Sequence, residues 1–310
     1  MKKQHGVALV VVLWVIVLLS VIASVFAKTT RTEAALARNQ LEMAQVRALS
    51  EAGIERAVYE LLQPNNNPFR WRSNGAPLSW EIEGASISIK AVDETARIDI
   101  NRANPALFVG LLKTQLGLDD LEAQSLMETI QDWRDADDLK RPNGAEKEEY
   151  AAAGLKHVPG NRDFMAVTEL SSVLGITEAY YQKLAPHLTV YSRQGGINPA
   201  TASQAVLSSI PGILPEEVSM FVEMRRLALQ AGQQVPALPK SAGMFANAGN
   251  VIRIQALVKL ANGLSHGREA VVRITPGDPK RLHSVLTWRD ALEPLESPFE
   301  NPAETPSLPH

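Results

Sequence analysis

Residues 1–27 read MKKQHGVALVVVLWVIVLLSVIASVFA, and the 21 positions from Val7 to Ala27 carry no charge. A helix of that length crosses the ~30 Å hydrocarbon core of a bilayer. The chain gives no sign of turning after it. From Lys28 to Leu62 there is no proline and one glycine, Gly53. Met43, Val46, Ile54, Ala57, Val58 and Leu61 recur at helical spacing, with Arg38, Glu42, Arg47, Glu51, Glu55 and Arg56 mostly elsewhere. The pattern predicts one continuous helix over 7–63, apolar over 7–27 and amphipathic over 28–63. At about 1.5 Å per residue it is roughly 80 Å long. Such a rod leaves any globule built on it.

Three readings of the start compete. A cleaved secretory signal would have MKKQH as its basic region and Val25-Phe26-Ala27 as its cleavage site. The apolar run, however, exceeds the ~7–15 residues usual in such signals. A plain transmembrane anchor is the second reading. Lys2 and Lys3 on one side are balanced by Lys28 and Arg31 on the other, so flanking charge leaves its orientation open. The third is a short basic leader, residues 1–6, ending in a glycine directly before a hydrophobic helix that stays in the mature protein. Gly6 abutting Val7 favours it. This arrangement resembles class III signal peptides, which prepilin peptidase cuts after the glycine and N-methylates at the new first residue.

With 310 residues, 45% of them hydrophobic, the chain can bury a sizeable core, and the reading is one long helix plus two folded parts. A net charge of −3 offers no bulk attraction to nucleic acid. The absence of cysteine excludes disulfides and thiolate metal sites.

After Leu62, the run PNNNP (64–68) breaks the helix. WEIEGASISIKAV (80–92) alternates around Gly84 and predicts a β-hairpin, and VDETARIDIN (92–101) a turn and a short strand. Helical patterns then occupy roughly 104–116, 120–136, 166–174, 177–186, 200–209 and 215–230. Strand patterns return at 250–261, 267–275 and 284–291. The expected fold class is α+β: a discontinuous antiparallel sheet from 79–102 and 248–291, interrupted by an inserted all-helical domain over 103–247. Residues 292–310 carry five prolines and read as a disordered tail.

Two segments of the insertion echo each other. INRANPALFVGLL…LGL (100–118) and INPATASQAVLSSIPGI (197–213) share an Ile-Asn, a helix start and a Leu/Ile-Gly turn. Each precedes a second helix ending in arginine, at Asp132-Trp133-Arg134 and Met224-Arg225-Arg226. The unit resembles the helix-hairpin-helix, which holds DNA phosphates on backbone N–H groups. Yet the hairpins LGLDDLE (116–122) and PGILPEE (211–217) place acids where phosphates would approach. A structural role fits them better than nucleic acid.

The acidic segment DWRDADDLKRPNGAEKEEY (132–150) is the best candidate for a chemical site. Asp132, Asp135, Asp137 and Asp138 fall within seven residues, and Glu146, Glu148 and Glu149 follow a Pro-Asn-Gly turn. Like charges this dense are unfavourable unless well solvated or sharing a cation. Hard oxygen ligands without His or Cys suit Ca²⁺. Lys140 stands where the invariant glycine of an EF-hand loop would be, so this is not that motif. The plainer reading is a solvated loop that also carries Lys140, Arg141 and Lys147. Catalytic patterns are missing: the six histidines are scattered, and there is no HExxH, GxSxG or phosphate-binding glycine loop. The chain reads as a non-enzyme.

Taken together, the leader and helix, the strand-bounded insertion, DWRDADD with a downstream GAE (144–146), and INPATA resemble the K-type minor pseudopilin of the type II secretion system, the general secretion pathway protein K family. The resemblance spans the chain up to the proline-rich tail. It implies a type IV pilin-like fold, with cleavage between Gly6 and Val7 and N-methylation of Val7. Ordinary pilins carry a glutamate at the fifth mature position, and here that position is Val11. The K-type family lacks it too and is assigned to the filament tip. A carboxylate in a bilayer is costly unless paired, which suits a subunit with no neighbour to pair with.

The resemblance further implies inner-membrane anchoring in a Gram-negative bacterium, with the head in the periplasm. The implied partners are the I-type and J-type minor pseudopilins, the H-type and major pseudopilins, prepilin peptidase and inner-membrane lipid, with the secretin and exoproteins further along the path. It implies structural Ca²⁺, with Asp135, Asp137 and Glu146 as leading ligands and Asp132, Asp138 and Glu149 behind them. The competing reading is a membrane-anchored periplasmic helix-hairpin-helix protein that receives DNA.

Overall fold

Helix α1 runs unbroken over Gly6–Leu61 in the computed structural model, which describes residues 6–63, 71–82, 84–238, 244–275 and 280–291. The leader's first five residues, the Pro-Asn run at 64–68 and the tail 292–310 lie outside the described residues. From Ala8 to Leu41 every side chain on α1 is exposed, including Trp14 and Phe26. The few hydroxyls in the apolar stretch satisfy themselves on the helix. Ser20 donates to the Ile16 carbonyl and Ser24 to that of Ser20, both at 2.8 Å. One turn beyond Leu41 the helix acquires a buried face. Val46, Ile54, Ala57, Val58 and Leu61 pack on a sheet.

That sheet has five antiparallel strands in the order β1-β2-β5-β6-β7. They are β1 (Leu78–Ile82), β2 (Ala85–Asp93), β5 (Val251–Lys259), β6 (Ser265–Ile274) and β7 (His283–Asp290). Period-two alternation puts Ile87, Ile89, Ala91, Ile252, Ile254, Ala256, Val258, Ala270 and Val272 on the face under α1. Arg253, Gln255 and Glu269 share the opposite face, and all are buried.

Strands β2 and β5 are direct neighbours, in register from Ser86↔Lys259 to Asp93↔Ile252. Residues 94–250 therefore form one domain-sized loop between adjacent strands. Its neck is closed by hydrogen bonds. The Gly249 N–H donates to Asp93 Oδ2 at 2.6 Å and the Asn198 N–H to the Thr95 carbonyl at 2.7 Å. Within it lie β3 (Ile98–Asp99), α2 (Pro105–Leu116), α3 (Asp120–Arg134), α4 (Lys147–Ala152), α5 (Glu178–Leu184), β4 (Leu188–Thr189), α6 (Gln204–Leu207) and α7 (Pro215–Gln230). They enclose a core of their own around Ile98, Phe108, Leu111, Ile130, Tyr150, Leu207 and Phe221.

Several boundaries differ from the sequence reading. The insertion begins at 94 rather than 103. The short strand expected near Ile98 does exist, but it pairs in parallel with β4, and Ile98 and Ile100 belong to the insertion's core. Periodicity shows that residues alternate and says nothing of a partner about ninety positions away. The pattern at 166–174 is a 3-10 segment (Val167–Ser172), and that at 200–209 holds only the four-residue α6. Helix α4 emerges from the acidic segment, where charge hid its short period.

A buried ion network joins the two halves of the head. Arg253 on β5 donates from Nε to Glu94 at 2.6 Å and also pairs with Glu269 on β6. Glu94 further accepts from Arg97 and from the Thr189 hydroxyl on β4, and Glu269 accepts from Arg289 on β7. Burial acts to raise the Glu94 pKa, but the Arg253 and Arg97 charges outweigh it and hold the carboxyl below its ordinary range.

Candidate metal centre

The acidic segment leaves the end of α3 and returns at the start of α4. Asp132 sits in the last turn of α3 and Asp135 caps it, three residues apart and so on one face. Both add negative charge to the negative end of the helix dipole, an arrangement that calls for a cation. Glu146, at the N-cap of α4, completes the group. One carboxylate oxygen from each of the three lies within 4.8 Å of the others.

Glycine makes this convergence possible. A Cβ on Gly144 would lie 2.0 Å from Asp132 Oδ2, so only a glycine lets the return strand pass beneath that buried carboxylate. The loop is pinned back on α3 by the Asn143 N–H donating to Glu128 Oε2 and the Ser125 hydroxyl donating to the Asn143 carbonyl, both at 2.8 Å. Beneath the site Trp133 packs against Tyr150 and Phe164, with ring centroids 5.9 and 6.2 Å apart. Tyr150 accepts the Leu174 N–H at 3.0 Å.

Charge balance inside the group is incomplete. Arg141 Nη1 donates to Asp132 Oδ1 at 2.6 Å and also to Asp135. Glu146 is only 6% exposed, and neither of its carboxylate oxygens has a hydrogen-bond partner among the described residues. Desolvation first, then repulsion from Asp132, Asp135, Asp138 and Asp137, pushes its pKa up to about 7. A buried carboxylate without partners beside two more is a donor set that fits a hard cation.

The other acids named from sequence stand apart from this trio. Asp137 accepts the Leu139 N–H at 2.9 Å and Asp138 the Asn161 side chain at 2.8 Å. Glu149 caps α4 by accepting the Glu146 N–H and pairs with Lys140 at 2.6 Å. The resemblance put Asp137 ahead of Asp132, whereas the carboxylates that converge are those of Asp132, Asp135 and Glu146. Sequence reasoning also gave no role to Arg141, Glu128 or Asn161, whose contacts cross the loop.

The two echoing segments are helical hairpins. Gly117 and Gly212 adopt left-handed backbone at their turns, with φ of 73° and 74°. Their ends are tied alike. Arg134 donates to the Ile100 carbonyl, and Arg225 Nη1 to those of Pro199 and Ala202 at 2.8 and 2.6 Å. At the starts of the second helices, N–H groups are taken by the protein's own acids: Glu122 N–H by Asp119, Asp119 N–H by Glu122, and Leu214 N–H by Glu217. The echo is structural.

A rod-like apolar N-terminal helix packed on a small antiparallel sheet, with a helical domain between two neighbouring strands, defines a pilin-like protein with an enlarged head. The family model for type II secretion system (T2SS), protein K matches residues 89–193. The type II secretion system protein K of Pectobacterium carotovorum subsp. carotovorum is 30% identical over 238 residues, covering 67% of this chain and 70% of that protein. Its counterpart in Klebsiella pneumoniae is 28% identical over 253 residues, covering 74% and 75%. The crystal structure of the GspK-GspI-GspJ complex from enterotoxigenic Escherichia coli contains a chain of the same fold. It superposes with a TM-score of 0.60 at 18% identity, over 83% of this chain and 99% of that one. The chain belongs to the type II secretion system protein K family and is a minor pseudopilin of that apparatus. The family is a structural component of the secretion system rather than an enzyme family, and none of these similarities supports the DNA-receptor reading.

Proposed function

We propose that this minor pseudopilin sits at the tip of the pseudopilus. There it joins the I-type and J-type minor pseudopilins to start or cap the filament that moves folded proteins across the outer membrane. Prepilin peptidase cuts between Gly6 and Val7, the stretch 7–27 anchors the mature protein in the inner membrane, and the head stands in the periplasm. The observation that carries the tip position is the absence of any carboxylate from Val7 to Ala27, with Val11 at the fifth mature position. A subunit inside a filament gains from a glutamate that neutralises its neighbour's N-terminal amine, and a terminal subunit does not. The size of the insertion, residues 94–250, agrees, since so wide a head is tolerated at an end and clashes in a packed shaft. The complex named above, of a fold relative with GspI and GspJ, supports the choice of partners.

Asp132, Asp135 and Glu146 would hold a structural Ca²⁺ in the head, since one oxygen of each lies within 4.8 Å of the others and Ca²⁺ takes hard oxygen donors. When bound, the ion neutralises three converging carboxylates. The α3 end, the 136–146 loop and α4 place the oxygens, with the loop held on α3 through Asn143 and the Arg141 N–H.

Intact-mass measurement after co-expression with prepilin peptidase tests the processing. A methylated form beginning at Val7 is the expected product, and one beginning at Lys28 overturns the anchor. Quantitative cross-linking in assembled pseudopili tests the position. The expected outcome is about one copy per filament, linked to the I-type and J-type subunits. Copies spaced along the shaft refute the tip reading.

A further inference from the structure

In the acidic centre one cation is already present, and it belongs to the protein. The guanidinium of Arg141 bridges Asp132 and Asp135, while the Glu146 carboxylate has no hydrogen-bond partner among the described residues. We infer that Arg141 is a built-in competitor for the metal: its guanidinium holds the cation's place between the two aspartates, and loading Ca²⁺ requires it to swing out. This rests on the calcium reading above and adds to it the residue that sets the affinity.

Geometry carries the inference. Ca²⁺ needs its oxygens at about 2.3–2.6 Å. Arg141 Nη1 lies 2.6 Å from Asp132 Oδ1 and also contacts Asp135, so ion and guanidinium compete for the same lone pairs. The competitor can leave at small cost. The Arg141 side chain is 36% exposed, whereas that of Asp132 is fully buried, so the guanidinium is one rotation from water and the aspartate is not. The loop need not follow it. The Arg141 N–H holds Asp132 Oδ2 at 3.2 Å, and Asn143 remains pinned on α3 by Glu128 and Ser125. The backbone is thus set for both states, and only one side chain is exchanged. The bridge offsets the repulsion between Asp132 and Asp135 at the α3 end, the same task a bound ion would perform.

The test uses the full-length protein in detergent, titrated with Ca²⁺ by calorimetry and melted with and without chelator. Arg141→Gln is expected to bind Ca²⁺ about tenfold more tightly than the wild type. In chelator it should melt several degrees lower, and in excess Ca²⁺ at the same temperature. Arg141→Lys keeps the charge on a shorter side chain that reaches the two carboxylates less well than Nη1 does, and its affinity is expected to fall between. That ordering between lysine variant and wild type decides the matter should the glutamine variant not stay folded without metal. Equal or weaker affinity in the variants overturns the competitor role and leaves the calcium reading intact. No calcium binding by the wild type or any variant overturns both.

Discussion

Gly53 of α1 approaches Ala256 of β5 so closely that a Cβ on the glycine would lie 2.9 Å from the Ala256 methyl, and 3.1 Å from Ile87 Cγ2. It is the only glycine between Lys28 and Leu62, a position where helix propensity alone would favour alanine. The contact explains why the rod rests on the sheet at this turn. Replacing Gly53 with valine forces methyl groups into filled space, at a cost of about 1–3 kcal/mol. Thermal melts followed by circular dichroism should show a lower midpoint for Gly53→Val than for Gly53→Ala. A valine variant as stable as the wild type would show that the helix sits further off.

Gly144→Ala attacks the proposed metal centre from its backbone. The added methyl would overlap the buried Asp132 carboxylate, so either that side chain or the return strand has to move. Overpacking of this kind costs about 1–3 kcal/mol, and a displaced ligand weakens a metal further. Calorimetry should register at least a tenfold loss of Ca²⁺ affinity, whereas Gly195→Ala, whose Cβ would meet only the Arg102 carbonyl at 3.4 Å, should leave affinity unchanged.

Glu94 and Arg253 predict how firmly the inserted domain is held on the sheet. Losing Glu94 leaves Arg253 with only Glu269, which Arg289 already shares, and unbalances the buried network at a cost of up to about 3–5 kcal/mol. Glu94→Gln should therefore lower the melting temperature sharply and speed amide exchange in β3, β4 and the start of β5. Because the folded-state Glu94 pKa is depressed, its contribution is present above the ordinary carboxylate range and is lost as pH falls through the folded value. The difference between wild type and Glu94→Gln should accordingly shrink in acid.

At Glu146 the dependence has the opposite sign. Its folded-state pKa is raised from 4.5 to about 7, so the metal-free fold prefers the protonated acid. That stability is complete below the ordinary value and is lost as pH rises through 7. In chelator, Glu146→Gln should match the wild type near pH 5 and melt above it near pH 8, by about 2–5 °C. With Ca²⁺ present the order should reverse, since glutamine supplies a weaker ligand. Equal melting at both pH values in chelator would mean that the carboxylate finds water or a partner.

Much of the fold could be read from local patterns. The absence of proline over 7–62 and the apolar spacing at Val46, Ile54, Val58 and Leu61 specify α1, because a helix records its partner every three or four residues. The alternation in Ile87, Ile89 and Ala91 specifies β2 in the same way. The acidic segment was legible as a whole because like charges gathered within seven residues need an explanation whatever the fold. Less legible were the choices inside it. Asp132 and Asp135 converge because α3 reaches Arg134, whereas Asp137 and Asp138 fall just past its end and turn to Leu139 and Asn161.

By itself, then, the sequence determined the rod, the strands, the presence of an insertion and the region of the acidic site, since each rests on residues close together in the chain. Tertiary structure alone decided that Ile98 pairs with Leu188, that Glu94 meets Arg253, and that the insertion joins two neighbouring strands. It alone brought Glu146 to Asp132 over Gly144 and set Arg141 between two aspartates. Periodicity reports which face of an element is buried, but not which distant element covers it, and a metal-sized cluster is made of such distant meetings.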